Sequence, residues 1–214
     1  YTDTFKGVRK AHKRKHDKVC AIKVINDRIS HKIDIQKFLN VVMGNVKLKH
    51  IATLPFLNQR NAKLAYAYLS NGSLFDLLLQ INSGKIPENW NTMKSILIFG
   101  IASGMAYADQ IPILHKCLIP SNILLNNDYY PKIADFSLYS FLSEFDDLIT
   151  GLSPPNLLYL APECLSDDNH NSSKSDVFSF SIILHEILTG KKPYEKLNCK
   201  NILDGKIKDS DKYL

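Results

Sequence analysis

Asn122 and Asp135 are the side chains of this sequence best suited to holding a hard cation. Between them run Ile123-Leu124-Leu125, Asn126-Asn127-Asp128 and Pro131-Lys132-Ile133-Ala134. Two short apolar runs about a polar turn read as a β-hairpin. Pairing about that turn sets Leu124 opposite Ile133, and Asn122 opposite Asp135 at the open end. An amide oxygen and a carboxylate meeting there suit a divalent ion such as Mg2+, which prefers oxygen ligands. Just upstream, Cys117 is a candidate nucleophile only as a thiolate, and an unperturbed thiol is mostly protonated at neutral pH. No base beyond His115 is evident for it.

The elements that must position these groups follow from the pattern. Thr4 to Val8 and Val19 to Ile25 read as strands joined by a basic turn. Ile51 to Leu57 and Lys63 to Leu69 read as two more. Residues 34 to 48 carry helical spacing. Ser73 caps a helix from Leu74 to Gln80, which Asn82-Ser83-Gly84 ends. Trp90 to Gln110 is a long helix whose Met93, Ile96, Leu97, Ile101, Met105 and Ala108 make a core face. Ser173-x-x-Asp176 reads as a capping box opening a helix, and Gly190 stops it. Apolar residues from Val177 to Leu188 cover most of that helix, so it is expected to be buried.

Composition narrows the classes. With 214 residues, 45% hydrophobic and 22% charged, the chain can bury a sizeable core and is not disordered in bulk. The net charge is +6. Much of it clusters at Lys6, Arg9, Lys10, Lys13, Arg14, Lys15 and Lys18, read as a solvated hairpin tip and not as a nucleic-acid contact, for want of interleaved aromatics. Four scattered cysteines without Cys-x-x-Cys spacing read as reduced thiols in a cytoplasmic protein. No apolar run reaches the length of a membrane span, and the start shows no signal peptide. The chain begins at Tyr1, so it reads as a piece of a longer product. A membrane segment upstream is left open.

The stretch His115-Lys116-Cys117-Leu118-Ile119-Pro120-Ser121-Asn122, followed by Asp135-Phe136-Ser137, resembles the catalytic and metal-binding loops of a protein kinase. Three further motifs stand in that family's order: Ala21-Ile22-Lys23, then Tyr159-Leu160-Ala161-Pro162-Glu163, then the run from Ser175 to Tyr194. The last is similar to the central helix of tyrosine-kinase-like (Ser/Thr) kinases. The resemblance implies an α+β, two-lobed fold, truncated at both ends. Residues 1–68 would form an N-lobe lacking the Gly-rich loop, and residues 69–214 a C-lobe lacking its last helices. It further implies that Ala21 leaves room for adenine, that Lys23 reaches ATP phosphates and that Tyr66 guards the back of the pocket. Asn122 and Asp135 would hold Mg2+. Asn71-Gly72-Ser73-Leu74 would connect the lobes, and Asp176 would hold the catalytic-loop backbone. Residues 135 to 163 would be the activation segment, with Tyr139, Ser140, Ser143, Thr150, Ser153 and Tyr159 as phosphorylation positions. The family's Arg partner of Glu163 would lie beyond residue 214, leaving Glu163 unpaired.

The departures from the family fall on the chemistry. Its catalytic Asp is Cys117, its catalytic-loop Lys is Ile119, its helix Glu is Val41 and its Gly after Asp-Phe is Ser137. General-base catalysis contributes roughly 10²–10⁴ in rate, and charge stabilisation at the transferred phosphate is a separate large effect. These losses imply a pseudokinase that works in signalling through protein contacts. A weakly active Ser/Thr kinase, a nucleotide-sensing module and a decaying gene copy are the alternatives.

Overall fold

The structure is a computed structural model that describes residues 5–13, 18–25, 53–58, 63–110, 114–135, 154–164 and 172–194. Its first part is a four-stranded antiparallel sheet. Strands β1 (Phe5–Lys13), β2 (Lys18–Ile25), β3 (Thr53–Asn58) and β4 (Lys63–Ala67) stand in the order β1-β2-β4-β3. The expected helix over residues 34 to 48, with Val41, lies outside the described residues.

One strand expectation changes. β1 does not end at Val8 but runs to Lys13, pairing with β2 as far as Lys13↔Lys18. Much of the basic cluster therefore lies in the ladder and not in a turn. The ladder is made by backbone N–H and C=O groups, so charged side chains do not end it. β2 is an interior strand: Lys23 stands opposite Val8 on one side and Leu64 on the other. A lysine in an apolar strand often signals a sheet edge, and here it does not. Ala21, two residues back, stands opposite Tyr66.

After β4 the chain becomes mainly helical. Helix α1 (Leu74–Asn82) begins at Ser73, whose Oγ accepts from the Asp76 N–H while Asp76 Oδ2 accepts from the Ser73 N–H. This reciprocal capping satisfies two end groups that would otherwise face nothing. It buries Leu74, Leu77, Leu78 and Ile81. Helix α2 (Trp90–Gln110) buries Met93, Leu97, Ile101 and Ala108 on one stripe, with the small Gly100 and Gly104 beside them. Gly100 has a packing reason: a Cβ there would come within 2.5 Å of Pro131 Cγ, so α2 and the following hairpin lie in closest approach. Strands β5 (Ile123–Leu125) and β6 (Pro131–Ile133) form that hairpin, and β5 follows a single 3-10 turn at Pro120–Asn122. A short helix α3 (Pro154–Leu157) and a second 3-10 turn (Pro162–Cys164) lead to helix α4 (Ser173–Thr189).

α4 starts differently from the expected Ser173-x-x-Asp176 box. The N-cap is Ser172, paired reciprocally with Ser175. A cap one residue earlier removes Asp176 from end-capping and frees its carboxylate for another partner. Nor is α4 buried all round. Ser175, Asp176, Ser179, Ile182, Ile183, Glu186 and Ile187 form its buried stripe, while Val177 and Leu188 are 65% and 55% exposed. The stripe recurs at three and four residues, and the apolar positions between its rows face out. Gly190 ends the helix in the left-handed conformation, φ 70°. The core joins Leu74, Leu78, Met93, Leu97, Ile101, Leu118, Ile123, Leu125, Ile133 and Ile183, all fully buried, so the loop and hairpin pack directly on α1, α2 and α4.

Candidate functional site

The loop from His115 to Asn122 is positioned from α4. The Asp176 carboxylate accepts from the His115 N–H at 2.7 Å and from the Lys116 N–H at 2.9 Å. Hydrogen bonds to a charged acceptor are among the strong ones, at about 1.5–3 kcal/mol each. They hold Lys116 at φ 64°, a left-handed backbone that a non-glycine residue enters at a cost of about 1–2 kcal/mol. The imidazole of His115 is fully buried and joins the loop to the hairpin. Its Nδ1 accepts from the Cys117 N–H at 3.3 Å, so the neutral ring carries its proton on Nε2, which donates to the Ala134 carbonyl at 3.0 Å. Burial lowers the His115 pKa from its ordinary 6.5, and the nearby Asp176 and Asp135 only partly oppose this.

The hairpin register corrects the expected pairing by one residue. Ile123 stands opposite Ile133 and Leu124 opposite Lys132. Asn122 is therefore across from Ala134, whose N–H donates to the Asn122 carbonyl at 2.7 Å. The cause is the turn: residues 126 to 130 form a five-residue loop centred on Asp128. The Asn126 Oδ1 closes it by accepting from the Asp128 and Tyr130 N–H groups, with Tyr129 at φ 59°. Asp135 comes one residue after the pairing ends. It also sits at φ 64°, so the chain turns there.

Asn122 and Asp135 are 8% and 7% exposed at the open end of the hairpin. The Asn122 Nδ2 donates to the Cys117 carbonyl at 2.9 Å, which fixes the amide and leaves Oδ1 as an acceptor. An amide oxygen and a carboxylate are a donor set that fits Mg2+. Among the described residues no group of three or more His, Cys, Asp and Glu side chains is placed to hold a metal. Cys117 is buried, 1% exposed, and its backbone N–H and C=O are both bonded inside the loop. Lys23, Ala21 and Tyr66 are placed by register alone, on β2 and β4. Tyr139, Ser140, Ser143, Thr150 and Ser153 lie outside the described residues.

Two expectations at the far end of the site are overturned. Tyr159 is not an open acceptor position: it is 7% exposed, and its hydroxyl donates to Glu186 Oε2 at 2.7 Å. Burial and the adjacent carboxylate push its pKa well up, and burial raises that of Glu186. Glu163 is not unpaired either, since it accepts from Ser175 Oγ at 3.0 Å. Sequence reasoning missed the Tyr159–Glu186 pair. A Glu within the apolar run of α4 was the available signal, because a carboxylate buried there requires a partner.

A four-stranded sheet, a connector into a helical part, and a loop-plus-hairpin held by the buried stripe of a helix are the parts of a protein kinase domain. Residues 1–212 match the family model described as protein tyrosine and serine/threonine kinase, and the chain belongs to that family. It is 35% identical over 159 residues to receptor protein-tyrosine kinase CEPR1 of Arabidopsis thaliana, a match covering 72% of this chain and 16% of that protein. It is 32% identical over 192 residues to serine/threonine-protein kinase TNNI3K of Homo sapiens, covering 86% of this chain and 22% of that protein. It is 35% identical over 153 residues to receptor-interacting serine/threonine-protein kinase 1 of Homo sapiens, covering 65% and 22%. The chain thus spans less than a quarter of the length of these relatives.

Proposed function

We propose that this kinase domain is a pseudokinase: it acts in signalling through protein contacts, with phosphoryl transfer weak or absent. The observation that carries the reading is Cys117. It occupies the position where the family has its catalytic Asp, and its side chain is buried. A buried thiol on a short side chain is a poor acceptor for a substrate hydroxyl proton. Ile119 adds to this, being apolar and 3% exposed where the family places a cation. The scaffold around them is in place, with Asp176 holding the loop backbone, His115 joining loop and hairpin and Asn122 Nδ2 donating to the Cys117 carbonyl, which supports retention of the fold for a purpose other than transfer. A cytoplasmic setting, a protein partner and a division near residue 68 belong to the same reading.

The test is turnover. The purified protein with ATP, Mg2+ and a peptide library is expected to incorporate no more phosphate than its Asp135→Ala variant. Turnover that Asp135→Ala abolishes would overturn the proposal. Restoring Cys117→Asp together with Ile119→Lys is expected to raise any residual rate, by about 10²-fold or more for the base alone.

A second reading is favoured by Asn122 and Asp135. Their oxygens at the open end of the hairpin would hold Mg2+ on ATP phosphates, with Lys23 on β2 as the phosphate contact. The domain would then sense nucleotide without transferring phosphate.

A further inference from the structure

The connector between the sheet and α1 is fastened to the β5–β6 turn through Asn71. Its Nδ2 donates to the Asn126 carbonyl at 2.8 Å and to the Asn127 carbonyl at 3.2 Å. Beside it, Ser70 Oγ donates to Asn127 Oδ1 at 2.5 Å, and the Leu125 N–H donates to the Gly72 carbonyl at 2.9 Å. Both amide protons of Asn71 thus point at carbonyl oxygens, an arrangement only a donor can serve.

The residue that follows is a glycine, in a backbone conformation that favours one. Gly72 has φ +68°, and a Cβ there would meet Asp76 Oδ2 at 2.9 Å, inside the cap of α1. The fold therefore favours a donor amide at 71 and a glycine at 72. Asn-Gly is the dipeptide most open to intramolecular attack on the amide, because a glycine presents its backbone nitrogen without a shielding side chain, and asparagine is among the thermolabile residues.

We propose that Asn71 is a deamidation site that unfastens the connector, and that the intact latch protects it. The Gly72 nitrogen attacks Asn71 Cγ and forms a C–N bond. The Cγ–Nδ2 bond breaks, ammonia leaves carrying the former Gly72 amide proton, and a succinimide results. Water then opens the ring to aspartate or isoaspartate. The product carboxylate faces the Asn126 and Asn127 carbonyls with no proton to donate, so two attractive contacts become repulsive. While the latch holds, Nδ2 is kept on those carbonyls and the Asn71 side chain cannot rotate freely to bring Cγ onto the Gly72 nitrogen. The inference is independent of whether the domain transfers phosphate.

The test ages the full chain in warm, mildly alkaline buffer, folded and urea-unfolded, and follows Asn71 by peptide mass mapping. Deamidation at Asn71 is expected to run about tenfold or more slower in the folded chain, and Asn127→Ala, which removes the Ser70 acceptor, to narrow that gap. Asn71→Asp is expected to speed hydrogen exchange at the Leu125 amide by about tenfold, the loss of one to two neutral hydrogen bonds. Equal rates for folded and unfolded chains overturn the protection. Unchanged exchange at Leu125 in Asn71→Asp overturns the unfastening. Should that variant not fold, exchange at Leu125 is read on the aged wild-type chain after separation of its deamidated form, with the same two outcomes.

Discussion

His115 ties three parts of the molecule together in one protonation state. Neutral, it accepts from Cys117 and donates to Ala134. Protonated, it loses the acceptor that the Cys117 N–H requires. Its pKa in the folded protein is lowered by burial, so folding favours the neutral ring. A depressed pKa gives stability that is present above the unfolded value and is lost as pH falls. The urea midpoint is therefore expected to drop as pH falls below 6.5, the ordinary value, and towards the lower folded one. A His115→Gln variant, less stable throughout, is expected to show less of that drop; an equal drop in both would assign it elsewhere. Asp176 is the second residue on which the loop depends. Asp176→Asn keeps one acceptor and turns an NH2 group towards a backbone N–H. A loss of about 3 kcal/mol is expected in urea unfolding.

Between elements, the closest contact is α2 on β6. Gly100→Ala places a methyl against Pro131, a rigid ring that cannot rotate away, with the Tyr130 ring at 3.4 Å. Overpacking of this kind costs about 1–3 kcal/mol. Thermal unfolding is expected to show it, and hydrogen exchange is expected to rise first across Ile123–Leu125 and Pro131–Ile133. Helices α1 and α2 were legible in the sequence. Trp90–Gln110 is found with the bounds that its periodicity predicts, and α1 runs two residues past its expected end. The hairpin was legible in type but not in register. Asn126-Asn127-Asp128 signals a turn, yet the side chain of Asn126 encloses Tyr129 and Tyr130 as well. That moves every cross-strand pair by one residue. Likewise Ser172 and Ser173 are both serines able to cap, and the cap at Ser172 goes together with Asp176 reaching the loop.

At the scale of the whole molecule, two parts face one question: whether nucleotide links them. β2 carries Lys23 in an interior strand, and the hairpin presents Asn122 and Asp135. If the second reading holds, ATP with Mg2+ raises the melting temperature, because a ligand that binds only the folded state stabilises it by mass action. At a hundredfold excess over Kd the gain is about 2.7 kcal/mol. Lys23→Ala and Asp135→Ala are each expected to remove the shift, and a shift that survives both would place the nucleotide elsewhere. Among the described residues no helix is long and apolar enough to cross a membrane.

The sequence by itself determined the family and the order of the elements that carry its motifs. Those properties reside in residue identity and spacing: Asp135-Phe136 after a short hairpin, then Ala161-Pro162-Glu163, then the run from Ser175 to Tyr194. Only the tertiary structure decided who bonds to whom. The resemblance already implied that Asp176 serves the loop, but it did not imply that Asn122 faces Ala134, that Tyr159 is sealed against Glu186 or that Asn71 latches the connector. Each of these is a choice among several polar partners of equal local merit. The choice is made by which partner the core packing brings within hydrogen-bond reach once water is excluded.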